Sequence, residues 1–295
     1  RLYKMEGNKL INTDFPEYFT NGAALAIADY DSDRDTDIFV GNSSNPLDFG
    51  HIAPSYILRN DGGRFQIQKM MALESLGIVT DAIFTDFDKD GHLDLIVVGE
   101  WMQPKFLKNE AGEFKDVTDM YLSEKLNGLW QSIAPFDIDG DGDMDYLLGN
   151  WGTNTKFKAS GRFPMLMYYG DFDHNSSTET IVAIEEGGKY YPMASLDELS
   201  SQLVSLIKKK FPSYKEFAGK DLYEIFDKET LEKGTLFKVN TLKSGYLKND
   251  NGKFEFHSFP TYLQVAPINK FLVGDFDGDS KLEALAAGNY FGVTP

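Results

Sequence analysis

The residues best placed to do chemistry sit in five nine-residue segments. They read Asp29-Tyr-Asp-Ser-Asp-Arg-Asp-Thr-Asp37, Asp86-Phe-Asp-Lys-Asp-Gly-His-Leu-Asp94, Asp137-Ile-Asp-Gly-Asp-Gly-Asp-Met-Asp145, Asp171-Phe-Asp-His-Asn-Ser-Ser-Thr-Glu179 and Asp275-Phe-Asp-Gly-Asp-Ser-Lys-Leu-Glu283. Side-chain oxygens recur at positions 1, 3, 5 and 9. These are Asp29, Asp31, Asp33 and Asp37, then Asp86, Asp88, Asp90 and Asp94, then Asp137, Asp139, Asp141 and Asp145. The last two sets are Asp171, Asp173, Asn175 and Glu179, and Asp275, Asp277, Asp279 and Glu283. Position 7, held by Asp35, His92, Asp143, Ser177 and Lys281, would add a backbone carbonyl. Such a set wraps a hard cation, and calcium fits better than magnesium because it accepts about 6–8 oxygens in loose geometry. Up to five ions are expected. Gly91 or Gly142 at position 6 lets the chain curl around one.

The charge distribution supports this. The chain of 295 residues carries a net charge of −17. The five segments hold 21 acids and only three bases, Arg34, Lys89 and Lys281, so they account for −18 and the remainder is +1. Crowded carboxylates repel one another unless something neutralises them, so repeated solvated acidic turns are a poor alternative. The acidity argues against nucleic acid or an anionic membrane as partner. No apolar run approaches the ~20 residues of a membrane span. The absence of cysteine excludes disulfides and thiolate chemistry.

The flanks show what must position these loops. An EF-hand needs helices on both sides and a Glu at position 12, which here is Val40, Val97, Leu148, Val182 or Ala286. Short apolar, strand-like runs lie on both sides instead, so each unit reads strand, loop, strand. The residue after the first Asp (Tyr30, Phe87, Ile138, Phe172 or Phe276) is expected to plug the underside of its loop. Between the loops a hairpin signature recurs in Tyr56-Ile-Leu-Arg-Asn-Asp-Gly-Gly-Arg-Phe65, Phe106-Leu-Lys-Asn-Glu-Ala-Gly-Glu-Phe114 and Tyr246-Leu-Lys-Asn-Asp-Asn-Gly-Lys-Phe254. Four strands per ~50 residues is the size of one propeller blade.

These units resemble the FG-GAP (VCBS-type) repeats of integrin-α β-propellers and bacterial surface proteins. The resemblance covers residues 22–192 and 236–292, and its details are similar to ASPIC/UnbV-related surface proteins of Bacteroidetes-like bacteria. It implies an all-β fold, a propeller of four-stranded blades with calcium-binding strand-loop-strand motifs. It also implies an extracellular, periplasmic or outer-membrane location and a role in protein or polysaccharide recognition. Residues 1–295 read as a single propeller of about five blade units. The ends either meet in one shared blade or belong to a longer propeller from which this is a part. The loops at Asp86 and Asp137 match the pattern fully. Arg34 at the glycine position asks for an unfavourable φ or another turn shape. Asn175, Ser176 and Glu179 make the 171–179 site the weakest, and Ser280 and Glu283 make the last intermediate.

Residues 193–234 break the β pattern and read as a helical insertion. Ser195 and Glu198 form a capping box, Leu196, Leu199, Leu203 and Leu206 follow at helical spacing, and Phe217, Leu222, Ile225 and Phe226 suit a second helix. The insertion is either a lid packed on its own blade or a partner-binding element. No catalytic motif appears, and calcium explains the dense carboxylate pairs, so the chain reads as a non-enzymatic module. Strands after the loops end in Gly99-Glu100-Trp101, Gly149-Asn150-Trp151 and Gly288-Asn289-Tyr290. These corners are expected on the face opposite the calcium loops. There Glu100, Trp101, Asn150, Trp151, Asn289 and Tyr290 either pack between blades or form a rim for a sugar or peptide. The alternative function is a lectin-like or catalytic component of a polysaccharide-processing system.

Overall fold

The computed structural model describes residues 3–12, 16, 20–45 and 48–289. The described chain opens with a hairpin, β1 (Tyr3–Glu6) and β2 (Lys9–Asn12), whose strands pair with each other. A first four-stranded unit follows. It contains β3 (Gly22–Ala28) and β4 (Asp37–Asn42), a small hairpin of β5 (Ser44–Asn45) and β6 (Asp48–Ile52), then β7 (Tyr56–Asp61) and β8 (Arg64–Gln68). Its sheet order is β3-β4-β7-β8, an antiparallel meander. The second unit repeats this with β9 (Ile78–Thr85), β10 (Asp94–Met102), β11 (Lys105–Glu110) and β12 (Glu113–Asp116), and β13 (Gly128–Leu129) adds to the far end of β10.

The third unit is split. It begins with β14 (Ser132–Pro135) and β15 (Tyr146–Gly149). The chain then leaves to build a separate sheet from β16 (Met165–Gly170), β17 (Glu179–Glu186), β18 (Lys189–Pro192) and β19 (Thr235–Val239). It returns as β20 (Gly245–Asp250) and β21 (Lys253–Ser258), which complete the sheet β14-β15-β20-β21. The hairpin Tyr246–Phe254 therefore belongs to the third unit, and the segment at 171–179 lies in an inserted sheet rather than in the next unit of the series. The helical stretch within 193–234 is part of this longer interruption. A final pair, β22 (Lys270–Gly274) and β23 (Glu283–Ala287), forms its own two-stranded sheet. Among the described residues the first and last hairpins do not share a sheet.

Two-residue periodicity buries both faces of the middle unit. Leu95 and Val97 of β10 pack with Ala24, Phe39 and Ile57 of the first unit. The alternating Ile96 and Val98 pack with Trp130 and with Ile133, Leu148 and Phe254 of the third. Ala134 and Leu147 continue the stack onto Ile268 and Phe271. At the outer face of the first unit Leu25 and Ile27 are exposed, as are Leu272 and Leu285 at the last hairpin.

The insertion folds as five short helices: α1 (Leu196–Gln202), α2 (Val204–Lys210), α3 (Tyr214–Phe217), α4 (Leu222–Ile225) and α5 (Lys228–Leu231). The Ser195–Glu198 capping box is present, and Asp221–Glu224 supplies a second. Leu196, Leu199, Leu203 and Ile207 are buried with Leu166, Ile181 and Ala183 of the inserted sheet, so the helices cover the sheet they interrupt. Among the described residues no helix is long and apolar enough to cross a membrane.

Candidate functional site

The five acidic segments fold as one loop design, each joining the first two strands of its sheet. Positions 4 and 6 are left-handed in all of them. Position 4 is Ser32, Lys89, Gly140, His174 or Gly278, and position 6 is Arg34, Gly91, Gly142, Ser176 or Ser280. Arg34 does adopt the unfavourable conformation, with φ 79°. A non-glycine residue held this way costs about 1–3 kcal/mol and persists only where its surroundings fix it.

The carboxylates do the fixing. The position-1 Asp accepts the position-6 N–H in every loop, for example Arg34 to Asp29 at 3.0 Å and Gly91 to Asp86 at 2.9 Å. The position-5 side chain accepts the position-7 N–H, as from Asp35 to Asp33, His92 to Asp90 and Ser177 to Asn175. The position-9 carboxylate turns inward. Asp37, Asp94 and Asp145 are at most 1% exposed and Glu179 is 5% exposed. In the three serial units it accepts the N–H of the hairpin asparagine, from Asn60, Asn109 and Asn249, at 2.7–2.8 Å. Burial pushes all four acids up, Asp94 to about 7, and the backbone donors counter this only in part.

The loops bring together the acids singled out in the sequence. Ligand oxygens lie within 4.8 Å of one another in the groups Asp29/Asp31/Asp33, Asp86/Asp88/Asp90, Asp137/Asp139/Asp145, Asp171/Asp173/Glu179 and Asp275/Asp277/Asp279/Glu283. Asp37, Asp94 and Asp141 fall outside these groups. Buried oxygens of Asp31, Asp94 and Asp173 have no hydrogen-bond partner. An unpaired buried carboxylate oxygen is costly, so these atoms fit a cation as their missing partner. Of the position-7 residues, Asp35 accepts a hydrogen bond from the Gly62 N–H and Asp143 pairs with Lys89 of the neighbouring loop. The expected plug holds for Tyr30, Phe87 and Phe172, which are buried. Phe276 instead is 54% exposed.

The hairpin signature carries a second component that the loop pattern alone does not reveal. The base before each hairpin asparagine reaches the position-3 carboxylate of its own loop. Arg59 meets Asp31 at 2.8 Å, Lys248 meets Asp139 at 2.6 Å, and Lys108 meets Asp88 and, at 2.8 Å, also Asp90. Lys108 in turn holds Asp90 below the usual carboxylate range, and Lys248 does the same to Asp139.

The strand-end corners divide into two kinds. Asn42 and Asn150 are fully buried. Each backbone N–H donates to the serine just ahead of the third strand of its sheet, Ser55 and Ser244. The Asn150 side chain accepts from Leu129 and Trp151 and donates to Thr241. It clamps the two ends of the interruption and cannot belong to a rim. Asn289 is exposed at the last hairpin, and Tyr290 lies outside the described residues.

Glu100, Trp101 and Trp151 do come together. They line a cleft of about 400 Å³ with Phe49 of β6, Phe157, Thr180 and Val182 of the inserted sheet, and Glu198 and Gln202 of α1. These last residues carry no periodic signal in the sequence, because the interruption folds them in from a distance. At Trp101 the strand bulges, and the residue takes φ 60°. It is the one described non-glycine residue with positive φ outside the acidic loops and hairpin turns. A larger groove of about 600 Å³, beside Leu126 and Lys158, holds none of the residues singled out in the sequence.

The chain carries FG-GAP-like repeats: the model of that family matches residues 29–97 and 86–148. The match ends where β15 gives way to the interruption. No curated protein matches the chain.

Proposed function

We propose that this chain is a calcium-stabilised β-propeller, or an arc of one, that works outside the cytoplasm as a non-enzymatic binding module. The Trp101–Trp151 cleft is the surface it offers to a protein or polysaccharide. The observation that carries the metal part is the recurrence of one loop geometry five times, with unpaired buried oxygens on Asp31, Asp94 and Asp173. The acids at positions 1, 3, 5 and 9 would hold the ion, and the ion would supply the charge neutralisation that their crowding requires. Loop-built sites of this kind work at the ~mM calcium found outside cells, which is the argument for location. Kinship with ASPIC/UnbV-related surface proteins belongs to the same proposal.

The cleft part rests on aromatic faces beside carboxylates in a concave site, the usual composition of a recognition surface. A lectin-like or polysaccharide-processing role is the second reading, favoured by the Trp151 ring. Melting in calcium and in EDTA tests the metal, and identical curves would refute it. Screening a glycan array and a polysaccharide hydrolysis panel with wild type, Trp101→Ala and Trp151→Ala tests the rest. Turnover of any glycan would establish an enzyme and overturn the non-enzymatic reading.

A further inference from the structure

We infer that the last sheet is completed by a second copy of this chain, whose β1–β2 hairpin pairs with β23 and whose first unit covers the apolar face of β22 and β23. This contact is independent of the Trp101–Trp151 cleft.

Each serial unit turns one face back to the unit before it and the other on to the unit after it. The fourth residue before the acidic loop lies on the backward face. Ala82, Ile133 and Phe271 hold that place and are buried against the preceding unit. In the first unit the place belongs to Leu25, which is 68% exposed. The second residue past the loop lies on the onward face. Phe39, Ile96 and Leu147 are buried there, whereas Leu285 of the last hairpin is 57% exposed. The molecule therefore carries one free face of each kind. Together they are the two halves of a contact it already makes three times. Water is expelled from apolar side chains when such halves meet, which favours the contact.

The last sheet also lacks its hairpin. β4, β10 and β15 pair with β7, β11 and β20, but β23 pairs only with β22 and leaves an open edge. Among the described residues no base meets Asp277, unlike Asp31, Asp88 and Asp139. Glu283 accepts the Phe276 N–H of its own loop, and it is not buried as Asp37, Asp94 and Asp145 are. What fits there is a hairpin with a base in its first strand. The β1–β2 hairpin has that pattern and no sheet of its own. Tyr3-Lys-Met-Glu6 stands as Leu107-Lys-Asn-Glu110 does. The turn closes in the same register, with Glu6 opposite Lys9 as Glu110 is opposite Glu113. In this alignment Tyr3 falls opposite Ala284, as Leu58 does opposite Ile38, Leu107 opposite Leu95 and Leu247 opposite Tyr146.

Chain spacing identifies the donor. Residues 13–21 join β2 to β3 and residues 69–77 join β8 to β9, runs of equal length. The first hairpin thus stands to the first unit as β7–β8 stands to the second, and its place is the sheet behind Leu25. The chain's own last hairpin lies across three sheet contacts from there, at about 10 Å each. The linker would have to be fully extended, to about 30 Å, to span them. A second copy needs no such stretch, because its hairpin and its backward face arrive at β22–β23 together. Made at both ends, this exchange joins two copies head to tail in a closed ring of serial sheets, the form that removes open edges.

The test uses the whole chain in calcium. Light scattering should give twice the mass of one chain. The sequence has no cysteine, so an introduced pair reports the register without background. Tyr3→Cys mixed with Ala284→Cys should form a disulfide between the two proteins, since paired strands bring Cα atoms within bridging distance. Leu25→Glu with Ile27→Glu, both at exposed positions, should give a monomer with unchanged circular dichroism. A monomeric whole chain would overturn the inference. So would a Tyr3→Cys/Ala284→Cys double variant that closes its disulfide within one chain, which would give the hairpin to its own last sheet. A dimer that survives both glutamates and does not cross-link would use another surface and overturn it as well. Species longer than two copies would overturn the closed ring.

Discussion

The loops of the three serial units and the loop of the inserted sheet have the same backbone but different support. In the serial units a base from the hairpin sits on the position-3 carboxylate, through Arg59, Lys108 and Lys248. The hairpin asparagine N–H holds the position-9 carboxylate. In the inserted loop the position-3 acid, Asp173, meets the neutral Ser205 hydroxyl of α2 at 2.9 Å and keeps one buried oxygen unpaired. Glu179 receives only the Phe172 N–H from its own loop. Three loops thus carry a tethered counter-charge, and the fourth borrows its contacts from the helices and from β6, where Thr178 bonds Asp48. A strand-loop-strand design survives transplantation out of the repeat, but its charge compensation stays behind with the hairpin.

Calcium removal should expose that difference most strongly. Several ions held well above their dissociation constants add enough linkage free energy to move melting on the order of 10 °C. Hydrogen exchange in EDTA should rise first at residues 171–179 and α2, and later or not at all in the loops at 86–94 and 137–145. Uniform exchange across all loops would show that the tethered bases do not substitute for the ion. Next in size is Asp145→Ala. It strips the Asn249 and Ile138 N–H groups of their shared acceptor in a buried place. A loss of about 2–4 kcal/mol in chemical denaturation is expected. Asp139→Ala, at the solvent side of the same loop, should cost much less.

How much of this the sequence disclosed divides along the same line. The loops were legible because alternating carboxylates and flanking apolar runs are local signals, and of the two backbone solutions left open at Arg34 the left-handed one is adopted. The split of the third unit was not. The loop at 171–179 passes as one more repeat, so the hairpin at Tyr246–Phe254 looks as if it comes after that loop, when it pairs with β15 across the interruption. One clue existed: no hairpin appears between Trp151 and Phe163. A second was the serine ahead of each third strand, Ser55 and Ser244, which bonds the corner asparagine of the second strand. The cleft was half legible. Trp101 and Trp151 stood out, whereas Asn150 looked like a rim residue because nothing local says that its amide ties the interruption shut.

Lys108→Met sharpens the comparison on a smaller scale. It removes the tethered charge from Asp88 and Asp90 while keeping most of the side-chain volume. The pair is partly exposed, so its effect is that of a screened ion pair. Without calcium the variant should melt lower than wild type. With calcium the gap should close, because the ion supplies the missing charge. Calcium affinity at that loop, followed by calorimetry, should tighten about two- to fivefold. Weaker binding would mean that Lys108 positions Asp88 for the ion instead of competing with it. Ser205→Ala, the matching change at the inserted loop, adds no charge and should leave affinity within about twofold of wild type.

The smallest expected effect concerns the backbone that all five loops share. Arg34 and Ser176 occupy the position that Gly91 and Gly142 fill elsewhere. Glycine relieves the left-handed strain but gives back part of the gain as entropy of the unfolded chain. Arg34→Gly should therefore stabilise by about 0.5–1 kcal/mol, and Ser176→Gly by a similar amount. In calcium binding the two variants should diverge. The Arg34→Gly protein keeps the tethered Arg59 and the bond from the Asn60 N–H, so affinity at the first loop should hardly change. The inserted loop has no such tether, and added freedom at residue 176 should weaken its hold on the ion even as the ion-free fold improves. Equal shifts in affinity at both loops would show that the loop backbone, and not the hairpin base, sets how firmly each site is organised.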